Sequence, residues 1–210
     1  MTGANSEDRE RRHGENPFST SFVRPGAIPY QFAAGESAAS LVDRFLAAGR
    51  RGQITGPHGA GKSTLLKMLR DELASRGEVV AYFELHDGQR ALTAPIEIAP
   101  RSIICVDGYE QLSYWNRSVL NPFLSRGGCG LLVTTHRRVW FPTWLPVLFD
   151  IRPSVELAVR LAMSLLERHG LASNAGGISP AEIERIFFEV GGDMRELFFR
   201  LYDLYESQRS

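Results

Sequence analysis

Apolar and polar positions change rhythm three times along this 210-residue chain. Residues 1–16, MTGANSEDRERRHGEN, are charged and have no apolar periodicity, which predicts a disordered tail. Residues 16–32 mix Pro, Gly and aromatics and read as an extended segment over the core. In 36–49 Leu41, Val42, Phe45 and Leu46 recur at helical spacing, and Gly49 suits the helix end. A short strand at 53–55 then runs into a glycine-rich turn. A second helical stretch follows from Lys62 to about Arg76, with Leu65, Leu66, Met68, Leu69 and Leu73.

The rhythm then shortens. VVAYFEL (79–85) reads as a buried strand, SIICV (102–106) as another and GLLVTT (130–135) as a third, with 147–151 a weaker fourth. Helical stretches separate most of these runs, the pattern of a parallel sheet covered on both faces. Past Pro153 the texture is helical throughout: 154–169, 180–190 and 193–208, with turn signals at GLASNAGGIS and GG between them.

Composition narrows the classes. The chain is 43% hydrophobic and 23% charged, as in a soluble globular protein with one good core and a small appendage. Its 24 basic and 24 acidic residues cancel, so net charge draws it neither to nucleic acid nor to an anionic membrane. No apolar run approaches the ~18 residues of a membrane span, and the first residues lack a signal-peptide pattern. Two cysteines, Cys105 and Cys129, do not suggest a disulfide framework, and a cytoplasmic location is expected. Of the 24 basic residues only Lys62 and Lys67 are lysine, which marks Lys62, inside the glycine turn, as chemically required.

Gly56-Pro57-His58-Gly59-Ala60-Gly61-Lys62-Ser63 satisfies G-x-x-x-x-G-K-[ST], with a strand before it and a helix after it. Glycines at these positions let successive N–H groups converge on an anion, and the helix N-terminus adds its dipole. Lys62 is placed to bridge the β- and γ-phosphates of a nucleotide, and the Ser63 hydroxyl to ligate Mg²⁺. Thr64, by resemblance to P-loop proteins, contacts the α-phosphate end. Such a loop needs a carboxylate at the end of a neighbouring strand to hold the magnesium's waters. Asp107, directly after 102–106, meets that need; the plainer alternative is an aspartate starting a turn. Cys105 on the same run reads as a small buried residue.

Asp107-Gly108-Tyr109-Glu110-Gln111-Leu112 resembles the D-G-hydrophobic-acidic-acidic-L segment of the signal-transduction ATPases with numerous domains, the NACHT group included. More broadly it resembles the additional-strand class of P-loop ATPases that contains the AAA+ proteins. That resemblance implies a glutamate that polarises the attacking water. Many members carry it directly after the aspartate, where this chain has Gly108, so Glu110 is the candidate base, and a solvated helix-start glutamate is its alternative. In GLLVTTHRR the resemblance implies a polar sensor at the end of the strand lying between the P-loop strand and the aspartate strand: Thr134, Thr135 and His136. NACHT-like proteins often show T-S-R there, so His136 or Arg137 stands in the arginine's place; β-propensity alone also explains the two threonines. GGDMRE resembles the second sensor of AAA+ lids, with Gly192 allowing the turn, Asp193 capping the helix and Arg195 facing the nucleotide. These matches span residues 53–200.

The expected architecture is an α/β P-loop NTPase, a three-layer αβα core with a mainly parallel sheet over 17–150, a tail over 1–16 and a helical lid over 151–210. The expected function is binding of ATP with Mg²⁺ and slow hydrolysis in a switch or assembly role, acting through a protein partner or a homo-oligomer. Rival readings are an adaptor that binds ATP without turnover, and a small-molecule kinase using Glu84 or Asp87 as an acceptor carboxylate. Nucleic acid is not indicated, since aromatics do not interleave with the basic residues. Phe18 or Tyr30 is placed to stack on adenine. Arg50, Arg51, Arg117, Arg126, Arg137 and Arg138 are equivalent candidates for an arginine finger. Trp140, Phe141, Trp144, Leu145 and Leu148 form an aromatic-rich cluster, either core or partner surface. In Phe187-Phe188 and Phe198-Phe199 one ring of each pair faces outward.

Overall fold

The computed structural model describes residues 15–24, 26–32, 35–86, 88–92, 98–140, 144–171 and 177–209. They form two compact units. One contains Pro29–Pro57 and Gly61–Ile151, and the other the described residues up to Ile28, His58–Ala60 and the chain from Arg152.

The first unit is built on five parallel strands: β1 (Arg51–Thr55), β2 (Val80–Glu84), β3 (Ile103–Asp107), β4 (Gly130–Thr135) and β5 (Val147–Asp150). Their order is β2-β3-β4-β1-β5. β4 thus lies between the strand before the glycine turn and the strand ending in Asp107, pairing Ile54 with Thr134 on one side and Val106 with Val133 on the other. That register brings the carboxyl ends of β1, β3 and β4 to one edge. β3 and β4 are buried along their whole lengths, as apolar runs in a two-sided parallel sheet should be. Ile104, Val106, Leu131 and Val133 enter one cluster with Tyr109, Leu112, Leu120 and Leu124. Leu132, of opposite parity, lies with Phe45 and Leu148 against Gly52, each within 3.6 Å of where a Cβ there would sit.

Helix α2 (Ala38–Ala47) starts with a capping box between Ser37 and Ser40, and α3 (Lys62–Ser75) follows the glycine turn and packs on β1 to β4. Leu65, Leu66, Leu69 and Leu73 of α3 are fully buried, each contributing about 1.5–3 kcal/mol of apolar burial. Two short helices, α4 (Tyr114–Ser118) and α5 (Asn121–Ser125), join β3 to β4. The expectation for 79–85 needs correction. β2 is an edge strand and only half-buried, with Val79 just before it at 62% exposure, because β3 covers one side of it and among the described residues no strand pairs with the other.

A buried amide anchors the loop before β5. Gln53 Nε2 donates to the carbonyls of Val139 (3.1 Å) and Leu145 (2.5 Å), while its Oε1 accepts from Val139 N (2.8 Å) and Thr135 Oγ1 (3.3 Å). Every polar atom of this fully buried side chain is satisfied, as burial requires. Leu145 is buried beside it, whereas Trp140 and Trp144 are 60% and 62% exposed; Phe141 lies outside the described residues.

The second unit is helical: α1 (Thr20–Val23), α6 (Val155–Arg168), α7 (Pro180–Glu189) and α8 (Met194–Ser207). Side chains cap the last three helices: Ser154 accepts from Leu157 N, Ser179 from Glu182 N, and Asp193 from Arg195 N and Glu196 N. Residues 16–28 belong here, and the extended segment expected for 16–32 contains the one-turn helix α1. Phe18 is buried and stacks on Phe198 at 6.4 Å, and Asn16 Nδ2 donates to Tyr202 O and Glu206 Oε1. Phe187 and Phe198 are buried while Phe188 and Phe199 are exposed, one ring of each pair inside. The turn expected between α6 and α7 falls partly on 172–176, outside the described residues. Among the described residues no helix is long and apolar enough to cross a membrane.

Candidate functional site

Sheet topology delivers the site. β1 ends at Thr55 and α3 begins at Lys62, so residues 56–61 must reverse the chain in six positions. Gly59 (φ 67°) and Gly61 (φ 91°) take left-handed backbone that other residues adopt only under strain, and Gly61 is the N-cap of α3. This backbone form before a helix presents N–H groups to an anion. Tyr30 lies against the turn: a Cβ on Gly61 would sit 3.7 Å from its ring. Burial pushes the Tyr30 hydroxyl up to about 12. Phe18, the other ring considered for adenine, is instead core of the helical unit.

Lys62 is buried at 8% exposure. Its Nζ donates to Gly56 O (2.9 Å) and Pro57 O (2.6 Å) and meets His136 Nδ1 at 3.0 Å. His136 follows β4 directly, and its Nε2 lies 2.8 Å from Glu110 Oε1. Lysine, imidazole and glutamate thus form one continuous chain of contacts. An ammonium only donates, so Nδ1 accepts; the ring proton is then on Nε2, which donates to the carboxylate.

Asp107 is buried at the end of β3. Its Oδ1 accepts from Thr134 Oγ1 at 2.6 Å and its Oδ2 from Tyr82 Oη at 3.4 Å. Thr134 Oγ1 in turn accepts from Gly108 N at 2.8 Å. One hydroxyl therefore fixes both the carboxylate and the backbone leaving it. Thr135 faces Gln53 instead. On β1, Thr55 Oγ1 donates to Asp150 Oδ1 at 2.6 Å. The Tyr82 hydroxyl is pushed well above its ordinary value, by burial first and then by the charges of Asp107 and Glu84.

Gly108 explains why no glutamate follows Asp107. Its φ is 76°, and a Cβ there would meet Leu85 O at 3.0 Å. The chain turns through Gly108 into a single 3₁₀ turn, Tyr109–Gln111, which carries Glu110 toward His136. Tyr109 is buried beneath, with the Arg117 guanidinium 5.0 Å from its ring centre.

Ser63 and Thr64 are half-buried on the first turn of α3. Among the described residues no group of three or more His, Cys, Asp and Glu could hold a metal by itself. The donors at hand, the Ser63 hydroxyl and the Asp107 carboxylate, suit a magnesium that takes its remaining ligands from phosphates and water. The buried ammonium and the left-handed glycines fit a polyphosphate.

Arg195 stands on the first turn of α8 with its side chain exposed. Its backbone lies close to the tip of the glycine turn: a Cβ on Gly59 would sit 1.9 Å from Asp193 Oδ1 and 3.0 Å from Arg195 N. His58 is exposed. Several arginines have structural work: Arg50 pairs with Glu78, Arg51 donates to Cys129 O and Leu124 O, and Arg117 to Leu112 O and Glu110 O. Glu84 lies 3.6 Å from Lys67, and Asp87 is outside the described residues. Both cysteines are free and buried, and burial pushes the Cys105 thiol up to about 12.

Sequence reasoning missed Tyr82 and the Thr55–Asp150 pair. The available signal was a polar tip inside each apolar strand, with nothing local to show what it would meet.

No protein-family model matches the chain, and no curated protein matches it. Solved structures do. A DNA replication initiation factor aligns over 81% of this chain and 61% of its own, at 15% identity and a TM-score of 0.52. NtrX from Brucella abortus aligns over 98% and 55%, at 12% identity and 0.55. DnaA from Aquifex aeolicus with bound AMPPCP aligns over 80% and 61%, at 16% identity and 0.50. The chain spans about 55–61% of the length of these proteins. Their likeness establishes the class of fold: an α/β P-loop domain of the AAA+ ATPase type with a helical C-terminal part. At such identities it establishes the fold alone.

Proposed function

We propose that this chain binds ATP with Mg²⁺ on residues Gly56 to Thr64 and hydrolyses it slowly, as a switch or assembly factor of the AAA+ and NACHT-like kind. The observation that carries this reading is the buried Lys62 ammonium between the glycine turn and His136, the residue that follows β4, with Asp107 held at the neighbouring strand end. Structural neighbours with bound AMPPCP support nucleotide binding on this fold. Gly59, Gly61 and their neighbours cradle the phosphates, Ser63 and Asp107 hold the magnesium, and Thr64 lies toward the α-phosphate. Magnesium, when bound, offsets phosphate charge and orients the γ-phosphate. Lys62 offsets charge on the transferring group, Thr134 fixes Asp107, and Glu110 orients the attacking water. Arg195, on the first turn of α8, takes the second-sensor role by resemblance to AAA+ lids. In this reading the chain has an ATPase core (17–150) and a lid (151–210) and acts through a protein partner or a second copy, in the cytoplasm.

Single-turnover conversion of radiolabelled ATP, paired with equilibrium binding, tests it on wild type, Lys62→Ala and Glu110→Gln across protein concentration. ADP formation that rises with protein concentration and disappears in Glu110→Gln, while ATP binding persists, is the expected result. A second reading, an adaptor that binds ATP and leaves it intact, is favoured by Gly108, whose left-handed backbone would strain a glutamate at the position many members of the resembled class use. Intact ATP bound through Lys62 would select it. The kinase reading is less favoured, because Glu84 already lies against Lys67.

A further inference from the structure

We infer that His136 is a positioning residue that couples phosphate engagement at Lys62 to the placement of the Glu110 carboxylate. The inference rests on the ATP reading of the site. A lysine ammonium has three N–H donors and no acceptor. Gly56 O, Pro57 O and His136 Nδ1 lie within 3.0 Å of Nζ and engage its donors. A phosphate that takes Lys62 competes with these contacts for the same N–H groups. The two carbonyls belong to the turn that would wrap the same phosphate. His136 comes from another strand and holds the ammonium through one rotatable side chain, so its bond is the one released.

Release has a consequence on the other side of the ring. His136 is half-buried, and its Nε2–H donates to Glu110 Oε1 at 2.8 Å. While Nδ1 is held by Lys62, the ring has a single orientation and the carboxylate is fixed through it. Once Nδ1 is released, the imidazole can turn, carrying or freeing Glu110, and Nδ1 becomes an acceptor facing the phosphate side. The positions of the lysine and of the base are thereby linked through one side chain. Here the glutamate stands two residues beyond Gly108, on the 3₁₀ turn Tyr109–Gln111, within reach of the residue that follows β4.

Two substitutions separate the halves of the link. His136→Asn keeps an acceptor near the Nδ1 position and loses the reach to Glu110. His136→Gln keeps a donor near the Nε2 position and loses the acceptor for Lys62. Both should bind ATP within about three-fold of wild type, and both should slow single-turnover hydrolysis by about 10²-fold, the scale of a misplaced reacting group. Wild-type rates in both variants would overturn the inference.

A readout independent of hydrolysis uses the full chain labelled with ¹⁵N-histidine, His136 being assigned by the signal lost in His136→Gln. Wild type should show an Nε2–H tautomer with an accepting Nδ1. Saturating Mg·ATP should shift Nδ1, and Lys62→Ala should show a comparable shift without nucleotide. Ring signals unmoved by bound ATP, or identical in Lys62→Ala and wild type, refute the link. If ATP does not bind at all, the ATP reading itself fails, and the Lys62→Ala comparison still decides whether lysine and imidazole are joined.

Discussion

Replacing Thr134 by valine removes one hydroxyl and keeps the shape. In the structure that hydroxyl donates to the buried Asp107 carboxylate at 2.6 Å and accepts from Gly108 N at 2.8 Å, at a site 1% exposed. A hydrogen bond to a charged group contributes about 1.5–3 kcal/mol, and a buried N–H left without a partner costs about 1–3 kcal/mol. The extra methyl returns less than about 1 kcal/mol. The net expectation is a loss of about 3 kcal/mol, and about 1 kcal/mol for Thr134→Ser, which keeps the hydroxyl. All three tryptophans, Trp115, Trp140 and Trp144, lie in the sheet unit, so their fluorescence in a urea titration follows that unit's unfolding. With a slope of about 2 kcal/mol per molar urea, Thr134→Val should lower the midpoint by about 1.5 M. A midpoint within about 0.3 M of wild type would refute the claim that this hydroxyl organises the strand end.

Gly108→Glu places a glutamate directly after the strand-end aspartate, but at φ 76° and with Leu85 O 3.0 Å from the new Cβ it should cost about 1–2 kcal/mol and leave single-turnover hydrolysis no faster. A faster rate at unchanged stability would contradict that geometry. Gly59→Ala puts a Cβ 1.9 Å from Asp193 Oδ1, the cap of α8, at φ 67°; strain and a disturbed cap together predict a loss of about 2–3 kcal/mol, measured by far-UV circular dichroism during denaturation. An unchanged melting curve would show that cap and turn do not constrain each other. Tyr30, raised from its ordinary 10.0 to about 12 by burial, keeps its proton in the folded chain where the unfolded chain loses it. Its contribution is intact below pH 10, and stability should fall between about pH 10 and pH 12, less steeply in Tyr30→Phe; equal alkaline slopes would reject the assignment.

Much of the architecture was written locally. The helices at 38–47, 155–168, 180–189 and 194–207 follow from apolar spacing and from Ser or Asp caps, and the helix at 62–75 from apolar spacing after the glycine turn, all within a few residues of one another. The glycine turn is equally local, since its glycines, lysine and hydroxyl are contiguous. Strand position was legible for the runs that sit mid-sheet, β3 and β4, because burial on both faces leaves an unbroken apolar run. VVAYFEL is nearly as apolar, yet an edge position leaves it half-exposed; strand order is a relation among distant segments that no single run encodes.

The same division holds at the site. The sequence by itself determined which groups were available: a lysine in a glycine turn, an aspartate at a strand end, a glutamate close behind it and a histidine after a later strand. Only the tertiary structure decided who meets whom. Placing β4 between β1 and β3 brings His136 to Lys62, 74 residues away, and Thr134 to Asp107, 27 residues away. The physical reason is range. Backbone conformation and periodicity act over one or two turns of chain. A hydrogen bond at 2.6–3.0 Å between strand ends depends on the whole sheet closing in one order and one register.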